Sequence, residues 1–315
     1  MESQSANGRA FVFPGQGSQS VGMGVGLYDA SPAAREIFEE SDDSLGFRLS
    51  NIIFRGTSTE LQNTVNSQPA IMTVSIACWK AWQEYLGSDA ASPAALAGHS
   101  LGEYTSMVVA GVLSFRDAVR LVRERGRLMQ QASLDRPGGM AAILGLDELA
   151  FEQICAETGV ELANINTDDQ VVISGDKVAV ARAMDLASAR GAKKTIPLPV
   201  SGAFHSSLMG VAREGLTEAI NGLTFHDPEI PIIANCDCVP LTTGDAMREE
   251  LITGLCQCVQ WKTSVQYLVS SGISSFVEFG PSGVLSGLIK RIDKNVKTVP
   301  LTDPASIQKM LAEIA

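Results

Sequence analysis

Residues 93–97 form a short apolar run that stops at Gly98-His99-Ser100-Leu101-Gly102, and residues 104–111 beyond it have a helix-compatible composition. A G-x-S-x-G sequence held between a strand and a helix is the setting of a nucleophile elbow. The two glycines let the backbone reverse sharply, so the serine hydroxyl stands at the end of the sheet. Amides of the following helix then point at any oxyanion that develops. The five residues alone also occur in ordinary turns. The strand before them and the helix after them are what favour Ser100 as a nucleophile.

A junction of this kind belongs to an α/β sheet. Residues 9–13 (RAFVF) read as a buried strand running into the turn Pro14-Gly15-Gln16-Gly17-Ser18-Gln19. A helix follows over 31–41, with Ser31 as N-cap and Pro32 at the first helical position. Residues 68–85 make a long helix, with Ile71, Val74, Ile76, Ala77 and Trp79 at helical spacing, and 115–132 another. Towards the C-terminus, IPIIAN and SSFVEFG read as strands and 284–292 as a helix.

The rhythm changes between 138 and 199. MAAILGL reads as a strand, DELAFEQICAETG as a helix, and ELANINT and QVVISG as two strands about the turn at Thr167 to Asp169. DKVAVARAMDLASARG is a second helix and KKTIPLP a closing strand. The order β-α-β-β-α-β is the ferredoxin-like plan, complete in about 60 residues. The expected architecture is therefore α/β: a large subdomain from 1–135 and 202–315, with a ferredoxin-like subdomain inserted at 136–201.

Composition excludes several classes. The 315 residues are 45% hydrophobic and 19% charged, which suits a packed globular chain and neither disorder nor a collagen-like repeat. Lys plus Arg total 24 against 35 Asp plus Glu, a net charge of −11, which disfavours nucleic acid as a partner. The longest apolar stretches, such as 107–113, are too short to span a bilayer, so no membrane is expected. The first nine residues carry no secretory core, and six scattered cysteines do not form a disulfide scaffold. A reducing, cytoplasmic setting is expected, or a plastid or mitochondrion if a transit peptide has been removed.

A serine hydroxyl needs a base, and the chain has three histidines. His99 sits inside the elbow and is expected to point away from the reactive face of Ser100. His226 lies in the polar stretch FHDPE and reads as a surface residue. His205 follows the small-residue run Val200-Ser201-Gly202-Ala203-Phe204, which suits either a histidine facing a cleft or a satisfied core histidine. The turn at 14–19 does not fit G-x-G-x-x-G. Gln16 on that turn stands at the carboxyl end of a strand, where its N–H is available to an oxyanion.

Five arginines crowd one helix. Arg116, Arg120, Arg123 and Arg127 share a stripe and read as a solvated face, whereas Arg125 falls among Leu121, Val122, Leu128 and Met129. A buried arginine needs an anionic partner, and a substrate carboxylate serves. Cys236, Cys238, Cys256 and Cys258 are spaced C-x-C, which is not the usual zinc spacing, so they read as buried thiols and no metal is expected.

With these residues assembled, the chain resembles the malonyl-CoA:acyl carrier protein transacylases. The motifs run nearly end to end: FVFPGQGSQ, GHSLGEY, ERGRLMQ, QVVISG, PVSGAFHSSLM, VQW and EFGPSGVL. The resemblance implies an α/β-hydrolase-like body with a ferredoxin-like insert. It implies Ser100 as acyl acceptor, His205 as its base and Arg125 as the grip on the malonyl carboxylate. The N–H groups of Gln16 and Leu101 become the oxyanion hole. The main-chain carbonyl of Gln260 orients the histidine in place of an aspartate, and Asn164 and Asn166 line the cleft. Malonyl-CoA and acyl carrier protein are the implied partners, with no tightly bound cofactor and a monomeric enzyme. The implied pathway is fatty acid synthesis, with a polyketide-type acyltransferase or a serine thioesterase as alternatives.

Three positions depart from the family pattern: Cys258 and Ser207 stand where proline is common, and Ser282 where glycine is. Lys193 and Lys194 open the strand that leads to His205, which makes them candidates for an acidic carrier protein at the cleft rim.

Overall fold

The computed structural model describes residues 8–87, 92–200 and 202–314; Ser201, in the run before His205, and residues 1–7 lie outside the described residues. The strands in chain order are β1 (Arg9–Phe13), β2 (Ala95–Gly98), β3 (Gly138–Leu144), β4 (Glu161–Thr167) and β5 (Gln170–Asp176). They continue with β6 (Lys194–Pro197), β7 (Ile232–Ile233), β8 (Pro240–Leu241), β9 (Ser275–Phe279) and β10 (Lys297–Leu301).

One sheet has the order β10-β9-β1-β2-β7-β8, parallel throughout except for the β7–β8 pair. Strand β1 lies at its centre. Phe11 and Phe13 enter one core with Trp82 and Phe279, while Ala10 and Val12 enter another with Trp261 and Phe276. Burial on both faces explains why RAFVF is apolar at every position after its arginine instead of alternating. The Phe11 ring meets Trp82 edge-on at 5.2 Å and Phe279 at 4.9 Å, a favoured aromatic geometry.

The second sheet, β4-β5-β3-β6, is antiparallel throughout, with the helices Glu148–Thr158 and Lys177–Ala189 on one face. Both order and pairing are those of the ferredoxin-like plan. The chain is thus an α/β-hydrolase-like body carrying a ferredoxin-like insert. Lys262 of the body reaches Asp168 at 3.3 Å and Arg291 reaches Asp169 at 2.7 Å, so two cations hold the β4–β5 turn. Val259, in a loop of the body, bridges Asn164 in a parallel register and so ties that loop's backbone to β4.

Several elements differ from the sequence reading. The helix from Thr64–Leu86 starts earlier and contains Pro69. Proline has no N–H for the carbonyl of Val65, and Arg123 donates to that oxygen at 3.3 Å instead. The stretch IPIIAN yields only the two-residue β7, because the Ala234 amide turns to Val239 and that of Asn235 to Glu103. Strand β10 was not foreseen. Its Pro300 is compatible only with a sheet edge, which is where it lies. Among the described residues, no helix is long and apolar enough to cross a membrane.

Candidate active site

Strand β2 ends at Gly98, and the helix Leu101–Val109 begins three residues later. Ser100 occupies the turn between them at φ 52°, ψ −103°. A side chain at Gly98 would place its Cβ 1.9 Å from the Gly102 backbone, and one at Gly102 the same distance from the Phe13 carbonyl. Both glycines are therefore obligatory. The turn carrying Gln16 packs against this elbow: a Cβ on Gly15 would stand 2.4 Å from the His99 carbonyl.

Ser100 Oγ lies 2.8 Å from His205 Nε2. On the other side of the ring, Nδ1 faces the carbonyls of Gly254 and Gln257, each at 3.0 Å. Carbonyls only accept, so Nδ1 carries the proton and Nε2 is free to accept from the serine. These two hydrogen-bonded residues share a backbone oddity. Among the described residues, only Ser100, His205 (φ 56°) and Cys238 are non-glycines at positive φ. Such strain persists where the surrounding structure over-determines it. Burial, then the Arg125 charge and His99, hold the His205 imidazole down at about 3. It is a neutral base at neutral pH.

Arg125 is 4% exposed. It donates to Gln68 Oε1 at 2.7 Å and to Ser100 Oγ at 3.1 Å, and its guanidinium stands 5.1 Å over the Tyr104 ring. Among the described residues, no carboxylate forms an ion pair with it. A cleft of about 270 Å³ opens onto these groups, lined by Gln16, Gln68, Ser100, Leu101, Arg125 and His205 and walled by Met129, Met140, Leu198 and Phe204.

The acyl transferase domain family matches residues 10–306. The malonyl CoA-acyl carrier protein transacylase of Bacillus subtilis (strain 168) is 44% identical over 304 residues, covering 95% of each chain. The chain belongs to the malonyl CoA-acyl carrier protein transacylase family. The enzyme of that name from Escherichia coli (strain K12) is 42% identical over 306 residues, 96% of this chain and 98% of that one. The crystal structure of the Xanthomonas oryzae malonyl-CoA:acyl carrier protein transacylase superposes with a TM-score of 0.94 at 43% identity, covering 98% and 99% of the two chains. A malonyl-transacylase in complex with its type II PKS acyl-carrier protein gives 0.93 at 39% identity, covering 97% and 99%.

Most of the residues carried over from this transacylase family meet at the cleft. Gln16 and Leu101 line it beside Ser100. Leu101 is the first residue of its helix, so its amide has no carbonyl within that helix to bond. Asn164 also lines the cleft, whereas Asn166 stands behind it and accepts from His99 Nε2 at 3.0 Å. That bond and the Trp261 ring at 5.7 Å turn the His99 imidazole towards Asn166, with no bond to the serine hydroxyl. His226 is exposed.

Gln260 does not orient the histidine. It precedes the helix Trp261–Ser270, and its carbonyl is committed to that helix, accepting from the Ser264 amide at 3.0 Å. The carbonyls that reach Nδ1 come from earlier in the loop, at Gly254 and Gln257. Cys258 in that loop leaves both in place. Ser207 has a use that proline lacks: its amide donates to Glu161 Oε1 at 3.0 Å and its hydroxyl to the same oxygen at 2.6 Å, tying the His205 segment to β4. Lys193 and Lys194 are not at the cleft. Lys194 pairs with Leu144 at the far end of β6, while the opposite end leads to Leu198 on the cleft wall. Lys193 faces Asp169 at 4.0 Å.

Sequence reasoning missed Gln68, Asn235, Glu103 and Glu250. Gln68 is 1% exposed and fixes one arm of Arg125. Glu103 and Glu250 are buried at 3% and 7%, and burial, then the Glu250 charge, pushes Glu103 well above the usual carboxylate range. The glutamate in GHSLGEY was visible as a charge in an otherwise apolar helix start. Nothing in sequence marked Asn235.

Proposed function

We propose that the chain transfers malonyl from malonyl-CoA to the phosphopantetheine thiol of an acyl carrier protein through a malonyl ester on Ser100. The observation that carries this reading is Arg125, a buried guanidinium beside the nucleophile with no carboxylate partner among the described residues. A malonyl ester on Ser100 Oγ places its free carboxylate within reach of such a group, and a bidentate pair satisfies it. A pocket for uncharged acyl groups would leave the charge buried and unpaired.

In the first half-reaction, Ser100 gives its proton to His205 Nε2 as Oγ attacks the thioester carbonyl. The amides of Gln16 and Leu101 receive the oxyanion. The tetrahedral adduct collapses, the C–S bond breaks, and CoA leaves with the proton from His205. In the second half, the carrier thiol gives its proton to His205 and its sulfur attacks the ester carbonyl. The C–Oγ bond then breaks, His205 returns the proton to Ser100 Oγ, and malonyl leaves as the carrier thioester. The carbonyls of Gly254 and Gln257 hold the imidazole in the tautomer both steps require. No metal or tightly bound cofactor enters either step. Fatty acid synthesis is the pathway this reading favours, with 136–201 as the insert that closes the cleft.

Incubation with malonyl-CoA alone, followed by intact mass measurement, tests the reading. A malonyl adduct on the Ser100 peptide that moves to added holo carrier protein is the expected result. Release as free malonate at the same rate without carrier marks a hydrolase instead.

A further inference from the structure

Asn235 is 5% exposed at the carboxyl end of β7, and each of its polar groups is engaged at the elbow or directly behind it. Its side-chain Oδ1 accepts from the Ser100 amide at 2.7 Å, and its Nδ2 donates to the Gly98 carbonyl at 2.8 Å. One carboxamide thus grips both flanks of the turn. Its own amide donates to Glu103 Oε1 at 3.0 Å, and its own carbonyl accepts from the Gln260 amide at 2.8 Å. The clamp is itself clamped.

We propose that Asn235 is a positioning residue for acyl transfer, holding Ser100 in its left-handed turn so that Oγ meets both His205 and Arg125. A non-glycine at φ 52° persists only when its neighbours fix it. The elbow's glycines permit that turn but do not select it. Asn235 selects it by bonding to the carbonyl before the turn and the amide within it. Because the Ser100 amide is taken, the Leu101 amide is the one left to the cleft. This division between a holding amide and an oxyanion amide comes from a residue 135 positions away in sequence. The proposal rests on Ser100 as the nucleophile.

Asn235→Asp separates positioning from packing, because it keeps the shape and the acceptor but removes the donor to Gly98. The ionised side chain sets an oxygen against that carbonyl, whereas the protonated acid restores a donor. The groups facing this position are Glu103, Glu250, Arg125, His205 and the Cys236 thiol. Each is also present in the parent, so the ratio of variant to parent isolates the new carboxyl.

The experiment measures acylation of Ser100 by malonyl-CoA in a single turnover and, separately, its sulfonylation by a small sulfonyl fluoride that does not need Arg125. Asn235→Asp is expected to slow both reactions by roughly 10- to 100-fold at about pH 8, the effect of one hydrogen bond lost or inverted. The KM for malonyl-CoA stays within about threefold, since the Arg125 grip is untouched. The deficit relative to parent shrinks as pH falls towards about 6, because burial keeps the new acid protonated to higher pH. Asn235→Ala lacks both bonds and shows no such recovery; if it fails to fold, Asn235→Asp alone decides. Parent-like rates for both reagents in folded Asn235→Asp overturn the proposal, as does a loss confined to KM. Failure of the parent to form a malonyl adduct overturns the transferase reading instead, and sulfonylation still reports the serine's placement.

Discussion

Arg125 donates a hydrogen bond to Ser100 Oγ at 3.1 Å, so the cation proposed to read the substrate's charge also touches the proposed nucleophile. The Arg125 charge favours the alkoxide that would form as the serine attacks and, after burial, is the next cause that disfavours protonation of His205. On the proposed reading, acyl selection and base strength are coupled through one side chain.

Replacing Arg125 is expected to reverse substrate preference. Arg125→Ala lowers kcat/KM for malonyl-CoA by about 30-fold to several thousand-fold, the range for removing one partner of a buried charged pair. Acetyl transfer holds or rises, because no unmatched charge remains in the cleft. Arg125→Lys recovers little, since an ammonium does not reproduce a planar two-point contact or the bond to Gln68. An unchanged malonyl to acetyl ratio in Arg125→Ala would falsify the assignment.

Ser100→Ala is expected to abolish the malonyl adduct and leave the melting temperature near that of the parent. The alanine loses the bonds to His205 and Arg125 but creates no large cavity, and the stability change stays within about 1 kcal/mol. Peptide mapping of the parent after malonyl-CoA treatment checks the site. An adduct found on another residue overturns Ser100.

The pH profile carries a sign that geometry fixes. His205 is held at about 3 by burial, Arg125 and His99, so the neutral base is present well below the ordinary imidazole range. Acylation at low malonyl-CoA is expected to stay flat as pH falls through about 6.5, where an unperturbed histidine would lose activity. At saturating malonyl-CoA the carboxylate offsets the Arg125 charge, and the acid limb moves to higher pH. Stability follows the linkage: above the unfolded histidine's value this group contributes nothing pH-dependent. Below it the unfolded chain takes up a proton that the folded chain refuses, so this contribution falls as pH drops towards 3. An acid limb near the ordinary histidine value at low substrate speaks against this account.

Gly102→Ala is expected to damage fold and chemistry together. The new Cβ would lie 1.9 Å from the Phe13 carbonyl, which β1 cannot yield without moving the centre of the sheet. A loss of about 1–3 kcal/mol or more follows from overpacking of this kind, read as a lowered denaturant midpoint. Gly17→Ala serves as a contrast: its Cβ meets nothing, and only the positive φ of 101° penalises it. Equal midpoints for Gly102→Ala and the parent contradict the packing argument.

The elements that bear chemistry were legible because their signals are local. RAFVF is apolar at successive positions because β1 is buried on both faces, and Gly98 of GHSLG is required by the Gly102 backbone within the same five residues, whereas Gly102 is required by the Phe13 carbonyl of β1. The ferredoxin-like insert was readable for the same reason, since each strand and helix carries its own period. Arg125 stood out because it breaks the polar stripe of its own helix.

Contacts that close over long separations were decided only by the tertiary structure. Resemblance pointed to Gln260 as the orienting carbonyl, but a main-chain carbonyl has no side-chain signature. Which one reaches Nδ1 depended on where the helix at Trp261 began and captured its own. Asn235 lies beside Ser100 because β7 pairs with β2, and Gln68 reaches Arg125 because two helices pack together. Sequence by itself singled out Ser100, the insert and Arg125, each from the signal of a short window. The supports that aim them are set by sheet order and helix packing, because a hydrogen bond of 3 Å depends on where two distant backbones come to rest.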